Sequence, residues 1–159
     1  MSISVLIVDD HEAIRRGLRF AFHRYPEFTV CGEAVDGADA LQKAQELSPH
    51  LIILDLAMPE MNGLEAAVAL KYMMPAVPIF LLTAHYSREL ELAAFGSGIC
   101  AVFSKHDDLD ALVARARAEL HIEQPGGEPQ QGTHCRAGTT RIDGASRKGQ
   151  PRRRCHWRG

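Results

Sequence analysis

Continuous apolar runs alternate with helical patterns over the first 120 residues of the chain. The apolar runs cover residues 3–8, 28–31, 51–54, 79–82 and 99–103. Because each run is continuous rather than alternating, it predicts a strand that is buried on both faces of a parallel sheet. Residues 63–72 and 87–95 are candidate helices, and three further stripes have helical spacing: Ile14, Leu18, Ala21 and Phe22; Ala38, Leu41 and Ala44; Leu109, Leu112, Val113, Ala116 and Leu120.

Five strands that alternate with five helices in about 120 residues indicate an α/β protein. Crossovers between parallel strands are right-handed almost without exception, which leaves few arrangements for such a chain. We therefore predict a flavodoxin-like, doubly wound (βα)5 fold. It has a five-stranded parallel sheet with helices on both faces.

The end of the chain differs in composition and charge from the rest. Residues 121–159 contain seven of the thirteen glycines, three prolines and only two large aliphatic residues, too few to offset the entropy of folding. Their net charge is +5, whereas that of residues 1–120 is −7. We predict a folded domain over residues 1–121. Residues 122–159 are predicted to form a basic, Gly/Arg-rich, disordered tail without a DNA-binding domain.

The sequence favours a cytoplasmic location. No apolar run reaches the roughly 18 residues that a membrane-spanning helix needs. The first ten residues contain two acids where a secretion signal would have bases. The four cysteines form no CxxC pair, which is typical of reduced thiols.

Polar residues follow four of the five predicted strands. Asp9 and Asp10 follow the first strand, Asp55 the third, Thr83 the fourth and Lys105 the fifth. In an open α/β sheet, ligands bind outside the carboxyl ends of the strands, so these side chains are expected to converge. Five such residues at matching strand ends indicate a functional site rather than unrelated turn residues.

This set of side chains is suited to a metal ion and a phosphate. Clustered carboxylates resist ionisation unless a cation lies among them, and Mg²⁺ prefers oxygen ligands and often bridges a carboxylate to a phosphate. Lys105 would neutralise the phosphate oxygens that the metal leaves uncovered. His11, beside the acids, is interpreted as a helix-start residue that could also tune the charge of the pocket.

These motifs resemble those of the response-regulator receiver family. The resemblance covers residues 3–120. It rests on LIVDD at 6–10, LIILDLAMPEMNG at 51–63, LLTA at 81–84 and the lysine at 105. The stretches DDHEAIRRGLR at 9–19 and VCGEAVDGADAL at 30–41 are similar to the NarL/FixJ-like branch, whose members usually carry a helix-turn-helix output domain.

The resemblance implies a role for each site residue. Asp55 would be the nucleophile that takes a phosphoryl group from a histidine kinase or a phosphotransfer protein. Mg²⁺ would be bound by Asp10, by Asp55 and by the backbone carbonyl of Ala57, and by Asp9 chiefly through water. The phosphoryl group would be paired by Lys105 and hydrogen-bonded by Thr83 after a swing of its side chain.

One position departs from the family pattern. Receivers usually have a switching aromatic residue three positions before the lysine, and that position is Val102 here. Valine has no ring to move and little χ1 freedom. Phe103 is expected to point to the opposite face of the sheet and pack in the core. We expect coupling to the fourth helix and fifth strand to be weaker, or to use Tyr86.

The predicted function is a phosphorylation-dependent switch of a bacterial two-component system, rather than a dedicated enzyme. An aspartyl phosphatase would usually have a second carboxylate at position 57, which is alanine. The expected partners are the kinase, an output protein and a second copy of the chain. The alternative is a truncated or frame-shifted NarL/FixJ-like DNA-binding transcriptional regulator, which gene sequencing would test. The basic run at 152–154 is interpreted as a solvated end rather than a nucleic-acid site.

Overall fold

A computed structural model of the protein describes residues 2–122. One parallel sheet has the strand order β2-β1-β3-β4-β5, and five helices alternate with its strands. The elements are β1 (Ile3–Val8), α1 (Glu12–His23), β2 (Phe28–Ala34), α2 (Gly37–Leu47), β3 (Leu51–Asp55), α3 (Gly63–Met73), β4 (Ile79–Thr83), α4 (Arg88–Gly96), β5 (Ala101–Ser104) and α5 (Leu109–Glu119). The predicted flavodoxin-like fold is confirmed, and the predicted tail beyond residue 122 lies outside the described residues.

Two apolar clusters cover the two faces of the sheet. Strand residues alternate between the clusters, because successive side chains of a strand point in opposite directions. Thus Leu6 and Val8 belong to one cluster, and Val5 and Ile7 to the other. The first cluster also contains residues of α2, α3 and α4, whereas the second contains residues of α1 and α5. The helices therefore lie on both faces, as predicted.

The two outer strands differ from the sequence prediction in length. β2 continues to Ala34, three residues beyond the apolar run, because Gly32 and Glu33 still pair with β1 at the edge of the sheet. β5 begins at Ala101 rather than at Ile99. The side chain of Ile99 is buried, but its backbone N–H donates to the Ala94 carbonyl at the end of α4. The apolar runs thus predicted which residues are buried more accurately than they predicted which residues pair with a neighbouring strand.

The buried face of α2 also differs from its predicted stripe. Ala40 and Ala44 are buried in this helix, whereas Ala38 is exposed. α2 begins at Gly37 after the N-cap Asp36, whose side chain accepts a hydrogen bond from the Asp39 N–H. The prediction was wrong at Ala38 because alanines on both sides of a short helix leave the direction of its apolar face ambiguous.

None of the helices among residues 2–122 is both long and apolar enough to cross a membrane.

Candidate functional site

The site lies at the carboxyl edge of the sheet, where the neighbouring strands β1 and β3 end. β1 and β3 are neighbours with Val8 opposite Leu54, which places Asp9 beside Asp55. Both residues are buried, at 0% and 1% exposure. The Lys105 Nζ lies 2.8 Å from Asp9 Oδ2 and 3.0 Å from Asp55 Oδ1. Two buried carboxylates thus share one ammonium group, and the predicted convergence of these three residues is observed.

Asp10 and His11 form the more open side of the same cluster. The Asp10 side chain is 28% exposed, and His11 Nδ1 lies 2.6 Å from Asp10 Oδ1 and 3.5 Å from Asp9 Oδ1. The backbone N–H of His11 donates a 2.8 Å hydrogen bond to Asp9 Oδ1. One ligand atom from each of these residues and from Asp55 lies within 4.8 Å of the others. The structure thus brings the three predicted acids together and adds a histidine.

The burial of Asp55 disfavours the charged form of its carboxyl group. Burial raises the pKa of the Asp55 carboxyl above its ordinary value, and the nearby Asp9 charge also raises it. The nearby Lys105 ammonium and the backbone of Ala57 lower this pKa but do not cancel the effect of burial. Burial lowers the pKa of Lys105, but its bonds to Asp9 and Asp55 outweigh burial and leave that pKa raised. The lysine is therefore held in its charged form.

The donor set fits a hard divalent cation. Asp55 Oδ2 is buried and has no hydrogen-bond partner among the described residues. A buried carboxylate oxygen without a partner costs free energy. A cation that binds to this oxygen removes that cost, because it stabilises the negative charge. Carboxylate oxygens with an open side for water are the ligands that Mg²⁺ prefers. The residues present therefore fit the magnesium ion that the resemblance to receiver domains implies.

Thr83 lies at the same edge of the sheet, but its hydroxyl is hydrogen-bonded to the backbone of His85. It is buried, and its hydroxyl donates to the His85 carbonyl at 3.2 Å and accepts from the His85 N–H at 3.1 Å. The Thr83 carbonyl accepts a 2.7 Å bond from the Lys105 N–H, which ties the ends of β4 and β5 together. Its described hydrogen bonds therefore do not reach the carboxylates, and its predicted role would require a rotation of its side chain.

The loop after Asp55 is held close to the site by a glycine. Gly63 N–H donates a 2.9 Å bond to the Leu56 carbonyl. A Cβ at position 63 would overlap the Asp55 carbonyl oxygen and approach Leu56 Cα at 2.9 Å. Ala57 lies within this loop, and the use of its carbonyl as a ligand stays a prediction. The glycine that ends the 51–63 motif thus permits a close approach of two backbone segments.

Sequence reasoning missed Arg15 as part of this site. Its guanidinium donates to the Asp9 carbonyl at 2.8 Å and to Glu33 Oε2 at 3.1 Å. It thereby joins α1 to the end of β1 and to β2. The apolar pattern of α1 contains no sign of this role, because Arg15 is one of several arginines beside the apolar stripe.

Val102 and Phe103 take opposite faces of β5, as predicted. Val102 packs against the first cluster. Phe103 packs against the second, where its ring centroid lies 5.6 Å from that of Phe80. Phe103 is therefore a partly buried residue that packs against the core, and it does not replace the missing aromatic side chain. Tyr86 is half exposed and lines a shallow groove with Val102.

Comparisons with known proteins show the family to which the chain belongs. The sequence model of the response regulator receiver domain matches residues 5–117. A putative transcriptional regulator from Pseudomonas aeruginosa is 39% identical over 125 residues, which cover 77% of this chain and 60% of that protein. The response regulator VraR from Staphylococcus aureus is 34% identical over 127 residues, which cover 77% and 61%. The chain thus spans about 60% of the length of these curated relatives.

Solved structures agree with this assignment. A two-component response regulator of the LuxR family from Aurantimonas sp. superimposes with a TM-score of 0.72 at 30% identity, covering 76% of this chain and 86% of that one. The signal receiver domain of the putative response regulator NarL from Mycobacterium tuberculosis gives a TM-score of 0.71 at 26% identity, covering 77% and 98%. The chain belongs to the response regulator receiver domain family, and it contains the receiver domain of a two-component response regulator with NarL- and LuxR-like relatives.

Proposed function

We propose that Asp55 is the residue of this receiver that accepts the phosphoryl group. The observation behind the proposal is that Asp55 has a buried carboxylate with an unpartnered Oδ2 beside a charged lysine. A carboxylate oxygen of Asp55 would attack the phosphorus of a phosphohistidine on a histidine kinase or phosphotransfer protein. The phosphorus–nitrogen bond breaks, and the leaving imidazole keeps the electron pair and takes a proton. The product is an acyl phosphate.

In this proposal the metal ion binds to the carboxylates of the cluster. Asp10, Asp55 and the Ala57 carbonyl would hold Mg²⁺ directly, and Asp9 would hold it chiefly through water. The support is that these carboxylate oxygens lie close together and exceed the positive charge nearby. When bound, Mg²⁺ neutralises charge on the carboxylate and phosphoryl oxygens.

Lys105 and Thr83 would stabilise the transferred group. The Lys105 ammonium lies within contact distance of Asp55 and is positioned to pair with a phosphoryl oxygen. The Thr83 hydroxyl would exchange the His85 carbonyl for such an oxygen. This exchange would move the loop after β4, because His85 also donates to Thr83.

The receiver would act as a switch that resets itself. Water can attack the phosphorus of the acyl phosphate, which returns Asp55 as a carboxylate and releases inorganic phosphate. Phosphorylation would bias a two-state domain, and a partner would read the change in populations. We propose a bacterial cytoplasmic location, a histidine kinase or phosphotransfer protein as donor, and an output protein or a second copy of the chain as reader.

Control of transcription is a second candidate for the whole protein. It is favoured by the 39% identical relative, which is named a putative transcriptional regulator. The residues that would test a DNA-binding role lie outside the described part of the chain, as does the alternative of a frame-shifted regulator. Reading the gene beyond the codon for residue 120 in all three frames would test both.

The phosphorylation site is tested by intact mass. The full chain is incubated with acetyl phosphate, with and without Mg²⁺, beside Asp55→Asn and Asp36→Asn. Asp36 is a matched control, because it caps α2 and asparagine caps a helix as well as aspartate. We expect a gain of one phosphoryl mass in the wild type and in Asp36→Asn, dependent on Mg²⁺ and absent from Asp55→Asn. Equal gains in Asp55→Asn and in the wild type would overturn the proposal.

A further inference from the structure

The histidine that follows the acid pair is not used by the proposed phosphoryl transfer. His11 occupies the N-cap position of α1, but its side chain makes no capping hydrogen bond. Its ring turns toward the carboxylates instead, with Nδ1 2.6 Å from Asp10 Oδ1 and 3.5 Å from Asp9 Oδ1. The ring therefore lies in the acidic cluster and does not cap the start of α1.

The contact between His11 and Asp10 is not an ordinary hydrogen bond. Asp10 Oδ1 is a buried atom without a hydrogen-bond donor of suitable geometry among the described residues, although Nδ1 is close to it. Asp9 Oδ2 and Asp55 Oδ1 are paired with the Lys105 ammonium, whereas Asp55 Oδ2 has no hydrogen-bond partner among the described residues. Carboxylate oxygens and one ring nitrogen thus lie close together, and the lysine does not pair with all of them.

We propose that His11 Nδ1 is a metal ligand, which makes this pocket a mixed carboxylate–imidazole site that binds first-row transition-metal ions in preference to Mg²⁺. This inference rests on the metal pocket of the proposed function and names one more residue in it. The four ligand atoms lie within 4.8 Å of one another. Opposite ligands of an octahedral ion with bonds of about 2.1 Å lie about 4.2 Å apart. The most distant of these atoms would have to approach one another by several tenths of an ångström, while His11 Nδ1 and Asp10 Oδ1, which are 2.6 Å apart, would separate to the roughly 3.0 Å of adjacent ligands.

The chemistry of the ligands explains why the pocket would prefer transition-metal ions to Mg²⁺. Mg²⁺ is a hard ion that prefers oxygen, whereas imidazole nitrogen adds affinity for transition metals, which increases from Mn²⁺ towards Cu²⁺. The His11 side chain is 68% exposed, so its Nδ1 can bind a metal without a large cost of burial. The open side also leaves coordination positions for water or a phosphoryl oxygen.

Manganese is the most suitable probe for the full chain. Mn²⁺ has little affinity for thiols, so cysteines elsewhere in the sequence compete weakly, and its electron spin reports directly bound nitrogen. The variants are His11→Ala, His106→Ala and Asp55→Asn. His106 is a matched control, because it is an exposed histidine close to Lys105 that is absent from the ligand cluster. Circular dichroism of each variant verifies that it folds.

We expect pulsed electron paramagnetic resonance to show ¹⁴N coupling to bound Mn²⁺ in the wild type and in His106→Ala, but not in His11→Ala. His11→Ala should lose about tenfold in Mn²⁺ affinity, the lower end of what even outer-shell partners of metal sites contribute. Its Mg²⁺ affinity should stay within about twofold, since Mg²⁺ gains little from nitrogen.

Two results would overturn the inference, and they differ in what they leave standing. If Mn²⁺ binds without ¹⁴N coupling, or if the coupling persists in His11→Ala, His11 is not a ligand. The proposed function survives that result provided that Asp55→Asn weakens Mn²⁺ binding. If Asp55→Asn binds Mn²⁺ as tightly as the wild type, the metal is not in this pocket, and both proposals fail.

Discussion

The close approach of Gly63 to the main chain of Asp55 is a constraint at the scale of one residue. A methyl group at this position would meet backbone atoms, which cannot rotate away as a flexible side chain can. We expect Gly63→Ala to lower the free energy of unfolding by about 1–3 kcal/mol, the range for overpacking a well-packed site. The variant should also phosphorylate more slowly with acetyl phosphate, because the loop after Asp55 must shift.

Gly17 is the matched control for this prediction. It lies within α1, and a Cβ there would meet nothing within 4 Å. Gly17→Ala should raise the free energy of unfolding by about 0.5–1 kcal/mol through helix propensity alone. Urea denaturation of both variants measures the contrast. Equal stability of Gly63→Ala and the wild type would show that the loop has room that the structure does not indicate.

The buried carboxylate of Asp55 should make stability depend on pH and on metal. Its pKa is raised from the ordinary value of 3.8, so the folded protein holds this proton more tightly than the unfolded chain does. Its contribution to stability therefore falls as the pH rises from the ordinary pKa through the raised one, and it stays lower above that. Asp55→Asn removes this pH-dependent loss of stability, because asparagine does not ionise. Lys105 keeps its contact with Asp9 in the variant.

We therefore expect Asp55→Asn to be more stable than the wild type at pH 7 without divalent metal. The gain should be about 1–3 kcal/mol, the cost of a buried polar group that lacks a partner. The gain should shrink below pH 4, and Mg²⁺ should stabilise the wild type more than the variant. Urea denaturation over a pH series measures all three effects. A variant that is less stable at every pH would mean that the Lys105–Asp55 contact outweighs burial.

The sequence predicted most of the site, and its omissions have physical reasons. Asp9, Asp55 and Lys105 could be placed because residues after parallel strands must share one edge of the sheet. His11 was interpreted as a helix-start residue that could also tune the pocket, but the direction of its ring could not be predicted, because it depends on whether the ring caps α1. The sequence contained one hint, its position directly after two acids. The direction of the Thr83 hydroxyl could not be predicted either, because it depends on hydrogen bonds to the His85 backbone.

At the scale of elements, α1 is fixed to the site by Arg15. The guanidinium bonds to the Asp9 carbonyl and to Glu33, so its loss would leave both acceptors short of a donor. We expect Arg15→Ala to cost about 1.5–3 kcal/mol of unfolding free energy, as for hydrogen bonds to charged groups. The exposed Arg16 on the same helix is the control, and Arg16→Ala should change stability by less than about 0.5 kcal/mol. Similar urea midpoints for the two variants would contradict this role of Arg15.

We expect α4 to be the element that changes most readily when the domain is phosphorylated. Only Ala94 is buried in this helix, so local opening should cost little free energy. If Val102 weakens the coupling, Val102→Tyr should increase the change in α4 amide hydrogen exchange that acetyl phosphate and Mg²⁺ produce. Val68→Tyr is the matched control, because Val68 is 57% exposed on α3. An unchanged difference in Val102→Tyr would show that the coupling does not pass through position 102.

The sequence predicted the elements more accurately than their ends. The central strands β3 and β4 are buried at every residue, so their apolar runs coincide with them to within one residue. The edge strand β2 contains Gly32 and Glu33, so its apolar run stops while its pairing continues. The beginning of β5 was misplaced for the opposite reason, since Ile99 is buried without belonging to the strand. Burial and strand pairing coincide in the centre of a sheet and separate at its edges.

At the scale of the whole molecule, residues from all ten elements lie within the range that the structure describes. The two apolar clusters include residues of every strand and helix from β1 to α5, and Ile122 packs against the second cluster. The acidic cluster and Lys105 lie within the same range. Folding and the proposed phosphorylation should therefore depend on residues 1–122 alone.

A pair of truncations tests this independence. A chain that ends after residue 122 should unfold at the same urea concentration as the full chain, and it should gain the same phosphoryl mass from acetyl phosphate and Mg²⁺. A chain that ends after residue 108 should fail to fold, because it lacks Leu112, Val113 and Ala116, which α5 contributes to the second cluster. Circular dichroism and intact mass measure both outcomes. If the 122-residue chain unfolds at a clearly lower urea concentration, the remaining residues contribute to the domain, and the boundary predicted from composition is wrong.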